Sequence, residues 1–406
     1  MQTCRLNGQL LTPVLDLGMQ PLGNGFLKDP SGSEYWFPLA CGFNDESMLF
    51  QLITQPAPEL MFHDSYAFFS GTSRRMAQHF EALAEQILTS GLLRTDDPFI
   101  VELGSNDGIL LRHFAARNVR HLGVEPSRDV GLAAREQGVD VLSAFFGKDV
   151  ALGIAETRGK ADLLVAANVM CHIPDLQDLL AGIDALVAED GVVMFEDPYL
   201  GDVVRLGSYD QIYDEHVFLF SALSVKQIFA TIDFELIDVE PLTTHGGSMR
   251  YTLGRRGRRQ PSARVAEVLR AEVEQGLDRT DTFLSFATRV GESATALKEV
   301  LERVVSEGSR VAAYGATSKS TTIYNFAGIG PDLISCIYDN TPGKIGTFSP
   351  GKHIPIREES AFAVEAPDVT FLAAWNHERE ILGRYDAYAQ GGGRWLTHVP
   401  SVRFLD

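Results

Sequence analysis

The chain has 406 residues, 45% hydrophobic and 22% charged, with a formal net charge of −19, which fits two or three folded domains. So acidic a surface repels nucleic acid, and the two short basic runs, Arg74-Arg75 and Arg255 to Arg259, read as solvated surface. No apolar run approaches the ~20 residues of a membrane helix, the opening MQTCRLNGQLL lacks a signal-peptide layout, and Cys4, Cys41, Cys171 and Cys336 are too scattered for a disulfide framework. A cytoplasmic protein with no nucleic-acid or membrane partner is expected.

Residues 1–65, rich in Gly and Pro with short apolar runs at Leu15 to Leu17 and Met48 to Leu52, read as a small separate unit. A helix is predicted from Ser73, where Met76, Phe80, Leu83 and Ile87 recur at helical spacing before Gly91. From Pro98 strands and helices alternate. The strands are Phe99 to Leu103, His121 to Glu125, Ala161 to Ala167 and Val192 to Glu196. The helices run through Leu110 and Phe114, from Arg128 to Gln137, and through Leu176, Leu180 and Ile183. This order predicts an α/β, doubly wound parallel sheet over residues 66–255. Residues 256–308 read as long helices. A second alternating unit follows, with strands Arg310 to Tyr314, Leu333 to Tyr338 and Val369 to Trp375, and helices Lys319 to Phe326 and from His377. Residues 256–406 are thus a helical linker and a further α/β domain.

Glu102-Leu103-Gly104-Ser105-Asn106-Asp107-Gly108 falls where the first of these strands meets its helix. Gly104 permits a tight turn and close backbone approach to a ligand, and Gly108 lets the helix pack near the sheet. The E-x-G-x-x-x-G spacing departs from the G-x-G-x-x-G of pyrophosphate sites. It resembles the first motif of class I methyltransferases, whose loop holds the methionine and ribose of S-adenosylmethionine. Glu125, about 20 residues further on, stands where an acid meets a ribose diol. The cofactor residues implied are Glu102, Gly104, Ser105, Asn106, Gly108, Glu125, its neighbour Pro126, and Asn168 after the next strand.

Two segments crowd titratable groups beside aromatic ones: Asn168 to Pro174, with His172, and Tyr209 to Phe218, with Tyr213, Glu215 and His216. Histidine suits proton transfer near neutral pH, and a tyrosine hydroxyl can steady developing negative charge. The run YDEHVFLFS (Tyr213 to Ser221) resembles the signature of sugar 3-C-methyltransferases, enzymes that make branched deoxysugars. The likeness extends to LDLGMQPLGNGF (Leu15 to Phe26), FEDPYL (Phe195 to Leu200), THGGSMR (Thr244 to Arg250), YGATSK (Tyr314 to Lys319), DNTPGKIGTFSPGKHIPI (Asp339 to Ile356) and AWN (Ala374 to Asn376), in the same order. The resemblance implies a small N-terminal zinc-binding unit, a class I methyltransferase domain, and a C-terminal Rossmann-like domain that helps hold a nucleotide sugar. The substrate it implies is a nucleotide-diphosphate 4-keto-6-deoxyhexose, methylated at C3 through an enolate. His216 would be the base with Glu215 beside it, and Tyr213, His172 and Tyr66 would bind the sugar or stabilise the enolate. His245, Ser248, Arg250, Thr317, Ser318, Lys319, Asn340, Lys344 and Lys352 would bind substrate. Thr317 to Lys319 open a helix after a strand, a natural anion site.

One feature departs from the family. Its N-terminal unit holds zinc with two C-x-x-C pairs, whereas here Cys4 is followed by Asn7 and Cys41 by Asn44. Structural zinc takes Cys or His ligands, so loss of the metal is expected. A competing reading, an NAD-dependent nucleotide-sugar epimerase or reductase, needs a Tyr-x-x-x-Lys pair. The nearest pair, Tyr314 and Lys319, is one residue too far apart. An inactive nucleotide-sugar-binding protein is the other alternative, and the intact Glu102, Glu125 and His216 set argues against it.

Overall fold

The computed structural model describes residues 2–61 and 74–405. Strands β1 (Thr12–Pro21), β2 (Trp36–Asn44) and β3 (Leu49–Leu52) form an antiparallel meander. A central sheet follows from β4 (Phe99–Leu103), β5 (Arg120–Val124), β6 (Val141–Leu142), β7 (Ala161–Ala167) and β8 (Val187–Pro198). The two-residue strand β9 (Phe218–Leu219) leaves it to pair with β3, so the segment just before β9 is sewn to the N-terminal sheet. Strands β10 (Phe234–Leu242) and β11 (Ser248–Arg255) complete the central sheet in the order β10-β11-β8-β7-β4-β5-β6. Its middle strands are parallel, and β11 inserts antiparallel against β8, from Ser248↔Pro198 to Gly254↔Val192. β4 is buried on both faces, as a parallel strand under helices must be. This is the class I methyltransferase fold.

A third sheet has β12 (Val311–Tyr314), β13 (Ile337–Asp339), β14 (Ile356–Glu358), β15 (Val369–Leu372), β16 (Arg394–Thr397) and β17 (Arg403–Leu405), in the order β14-β13-β12-β15-β16-β17. All neighbours are parallel except β16 and β17. The Thr280–Ser306 helix links the first and third sheets. Phe283, Phe286, Val290, Ala294, Leu297, Leu301 and Val304 fall on one buried stripe of it. The Phe283 ring lies 4.5 Å from that of Phe43 and 5.2 Å from that of Phe50, and burying each such ring stabilises the joint by about 1.5–3 kcal/mol.

In the third sheet the structure differs from the sequence expectations at Leu333 and at Trp375. The run from Leu333 to Tyr338 pairs only at its end, because Leu333 and Ile334 close a backbone-bonded turn on Gly330. Trp375 lies past β15, in a short turn that aims its indole N–H at Asp210.

Candidate active site

A cavity of about 670 Å³ opens at the carboxyl ends of β4, β5, β7 and β8 and is closed from the far side by the loop after β12. It sits within the usual size range of small-molecule sites and at the sheet edge where open α/β folds bind ligands.

At one end lies the loop after β4. Gly104, Asn106 and Gly108 all adopt positive φ, at 61°, 49° and 77°, conformations that favour glycine and asparagine. The Glu125 carboxylate, buried at the end of β5, accepts from the Asn106 N–H at 3.0 Å and the Ser127 N–H at 2.8 Å. Burial nevertheless holds its carboxyl above the ordinary value. Gly104, Asn106, Glu125, Pro126 and Asn168 line the cavity. Glu102, Ser105 and Gly108 lie behind its wall. Burial, then Glu125 and Asp107, holds the Glu102 carboxyl well above its usual range. Ser105 packs where a Cβ on Gly123 would stand, and Gly108 gives room to Val139 and Ala134.

In the middle, Tyr213, Glu215, His216 and His172 line the cavity together. His216 is fixed by two contacts. Its Nδ1 lies 2.7 Å from the Gln211 carbonyl and its Nε2 lies 3.0 Å from the Tyr213 hydroxyl. A carbonyl only accepts, so Nδ1 carries the hydrogen and Nε2 presents its lone pair. Burial, then His172 and Lys319, pushes the imidazole well below the usual histidine range, so it is neutral at pH 7. The His172 ring stacks 5.3 Å from it and is pushed by burial to about 4. One ligating atom from each of Cys171, His172 and His216 lies within 4.8 Å of the others, but burial holds the Cys171 thiol well above its normal value, so it is inert as a nucleophile. Tyr66 lies outside the described residues.

At the far end stand Thr317, Ser318, Lys319 and Lys344, with His245 between the two halves. Thr317 caps the Ser318–Ala327 helix by accepting from the Ser320 N–H. The Lys319 ammonium donates to the His245 carbonyl at 3.3 Å. Burial lowers it to about 8, with Asp210 opposing, which leaves it cationic at pH 7. Lys344 donates to the Ala316 carbonyl at 2.7 Å and sits 4.7 Å from the centre of the Phe26 ring. Asn168 Nδ2 donates to His245 Nε2 at 3.1 Å. The remaining substrate candidates stand elsewhere. The Ser248 hydroxyl donates to the Thr244 carbonyl at 3.1 Å. The Arg250 guanidinium is spent on Glu196 at 2.6 Å and Glu240 at 2.7 Å. Asn340 is exposed beside a separate small depression, and Lys352 is half-buried away from the cavity.

Sequence reasoning missed Asn24, Arg75, Phe145, Phe146 and His377, all on the cavity wall. Asn24 lies in the Leu15 to Phe26 motif and Arg75 in a basic run read as solvated surface, while Phe145, 51% exposed beside the cavity, shows itself only in the structure.

Comparison with known proteins gives three family matches. A family described as "C-methyltransferase C-terminal domain" matches residues 243–400, one described as "Methyltransferase domain" matches 73–239, and one described as "Putative zinc binding domain" matches 4–62. C-methyltransferase NovU of Streptomyces niveus is 31% identical over 395 residues, 97% of this chain and 94% of that protein. The chain belongs to the C-methyltransferase family. Ribosomal RNA small subunit methyltransferase A of Myxococcus xanthus (strain DK1622) is 31% identical over 93 residues, 23% of this chain and 32% of that protein. Magnesium protoporphyrin IX methyltransferase (ChlM) from Synechocystis PCC 6803, solved with bound SAH, aligns with 44% of this chain and 83% of its own at 14% identity and a TM-score of 0.34.

The cofactor of this C-methyltransferase is S-adenosylmethionine, and the β4 loop fits it. A Cβ on Gly104 would stand 2.4 Å from Val169 Cγ2 at the cavity wall, so only glycine leaves that space open. Glu125→Ala should weaken cofactor binding by about 1–3 kcal/mol, since it removes a buried carboxylate from the cavity wall and the bond that steadies Asn106. Titration calorimetry with S-adenosylmethionine measures this, and an unchanged affinity would contradict it.

The N-terminal sheet does not fit zinc. The spatial partner of Asn44 is Ser47, not Cys41 as the sequence spacing implied. Asn7 Nδ2 donates to Asn44 Oδ1 at 3.2 Å, the Ser47 hydroxyl donates to the same oxygen at 2.8 Å, and Cys4 Sγ lies 3.3 Å from Ser47 Oγ. Cys41 belongs to a different hydrophobic cluster from Cys4, and burial raises its thiol. One thiol, one hydroxyl and two amides make a hydrogen-bonded knot, not a structural zinc site. Protein purified without chelators should therefore hold less than a stoichiometric amount of zinc, and EDTA should leave Tm unchanged. One tightly bound zinc per chain by elemental analysis would contradict this.

Proposed function

We propose that this S-adenosylmethionine-dependent C-methyltransferase methylates C3 of a nucleotide-diphosphate-linked 4-keto-6-deoxyhexose, in the cytoplasm and in branched deoxysugar synthesis. One observation carries the reading. A single cavity joins the cofactor loop, a neutral histidine whose Nε2 lone pair faces the Tyr213 hydroxyl, and two lysines, Lys319 at the start of a helix and Lys344 in the loop after β13. The lysines and helix N-terminus suit a diphosphate in an otherwise acidic protein. We assign residues 66–255 to cofactor binding and reaction, residues 256–406 to the nucleotide sugar, and residues 1–65 to a clamp on both.

The C4 ketone acidifies the C3 hydrogen. His216 Nε2 takes that proton, and the electron pair of the C–H bond moves into the C3–C4 enolate. The Tyr213 hydroxyl, 3.0 Å from Nε2, turns from Nε2 as that nitrogen is protonated and, with His172, donates to the growing oxyanion. S-adenosylmethionine supplies an electrophilic methyl on a sulfonium. C3 bonds to that methyl as the methyl–sulfur bond breaks, and the His216 imidazolium returns its proton to solvent. Holding the two reactants in one cavity supplies much of the rate. Glu215, in the same wall, offsets the positive charge that His216 gains. The test is a panel of nucleotide-linked 4-keto-6-deoxyhexoses, their 4-hydroxy counterparts and the free sugars. Methyl transfer only to the nucleotide-linked ketones is expected; transfer to a 4-hydroxy sugar would overturn the reading.

A further inference from the structure

The loop after β1 enters the active site from the N-terminal sheet. The Gly23 N–H donates to Asp214 Oδ1 at 3.0 Å, and the Gly23 carbonyl accepts from Thr321 Oγ1 at 3.0 Å. A Cβ on Gly23 would meet Asp214 Oδ1 at 2.8 Å and Ser318 Cβ at 3.3 Å, so the backbone is pressed between the catalytic segment and the Ser318–Ala327 helix. That pins the next residue. Asn24 lines the cavity, its Nδ2 donates to Glu215 Oε1 at 2.6 Å, and its Oδ1 accepts from the Ser318 hydroxyl at 2.7 Å. Glu215 settles which way the amide faces: a carboxylate only accepts, so the amide nitrogen turns to it and the amide oxygen accepts from the Ser318 hydroxyl.

We infer that Asn24 is a positioning residue, acting through Glu215: its amide keeps that carboxylate ionised and turned into the cavity, and Ser318 locks the amide in the donating orientation. The inference rests on the proposed reaction only for what Glu215 does, not for the contact itself. The N-terminal sheet thereby becomes part of the active site. An N–H donated to a carboxylate favours its charged form. Other charged or titratable groups also face Glu215: Lys344 from the loop after β13, Cys171 from the loop after β7, and Asp214 and His216 on its own segment, with His172 and Lys319 around His216. None of them changes in an Asn24 variant, so the difference from wild type isolates the amide.

The experiment follows the Glu215 carboxyl by 13C NMR of protein labelled at the glutamate side-chain carboxyl, with its resonance identified by its loss in Glu215→Gln. Asn24→Ala should raise the Glu215 titration midpoint by about 1–2 pH units, the equivalent of one lost charge-assisted hydrogen bond. Asn24→Asp, nearly the same shape, should raise it further, because two adjacent carboxyls must share a proton. Ser318→Ala should give a smaller shift in the same direction. Thr321→Val, which loosens the same loop without touching Glu215, should lower Tm and leave the midpoint in place. In methyl-transfer assays the acid limb of the pH profile should move up with the midpoint. Unmoved midpoints in Asn24→Ala and Asn24→Asp would overturn the inference, whatever happens to Tm. Moved midpoints in a protein that methylates no keto sugar would leave the positioning role standing and sink the proposed reaction instead.

Discussion

His216→Asn should lower kcat by about 100- to 10,000-fold, the usual worth of a positioned general base, while the affinity for S-adenosylmethionine stays near that of wild type. The structure supports both halves. The imidazole is held by the Gln211 carbonyl and the Tyr213 hydroxyl, and an asparagine amide can still donate to the carbonyl, so the segment keeps its shape. Asparagine has no basic nitrogen, so the lone pair at Nε2 is gone. Because burial, with His172 and the Lys319 ammonium nearby, keeps His216 neutral, wild-type activity should not fall as pH drops from 8 to 7 on account of this group. Exchange of the C3 hydrogen in deuterated water, followed by proton NMR without methyl donor, isolates the step: wild type exchanges it and His216→Asn does not. Near-normal turnover in the variant would move the base to Tyr213 or His172.

Gly104→Val should abolish measurable S-adenosylmethionine binding. Gly104 has φ +61° and an added Cβ meets Val169 Cγ2 at 2.4 Å. A branched residue held at positive φ carries about 1–3 kcal/mol of strain, and overpacking adds about 1–3 kcal/mol. Both are relieved by pushing the loop or Val169 into the cofactor's space, so an affinity loss of about 100-fold or more is expected. Calorimetry on protein whose circular dichroism matches wild type is the check. Wild-type affinity would show that the loop does not hold the cofactor.

Much of this architecture is readable from the chain because it rests on local patterns. Phe99 to Leu103 is an apolar run broken only by Glu102 and followed by glycine, and it is β4 to the residue. The Thr280–Ser306 helix shows its apolar stripe in the spacing alone. What escaped depends on distant partners. Asn24 sits in a Gly-rich turn inside the LDLGMQPLGNGF motif, but its two partners lie 191 and 294 positions along the chain, so the motif gives it no role. Cys41 fell at the spacing of a metal ligand, yet in β2 it is paired with Leu15 and Leu52 and points into another core. Arg250 belongs to a motif of the family resemblance, but the buried Glu196 and the half-buried Glu240 claim its guanidinium. The strands β10 and β11, an antiparallel pair at the sheet edge, were not predicted.

The most direct test of the account is to incubate the protein with S-adenosylmethionine carrying a 13C-labelled methyl and a nucleotide-diphosphate 4-keto-6-deoxyhexose, then to locate the label in the product by NMR. The account predicts a new carbon-bound methyl coupled to C3, formed by wild type and lost with His216→Asn. A label found on oxygen, or no transfer to any keto sugar, would contradict it.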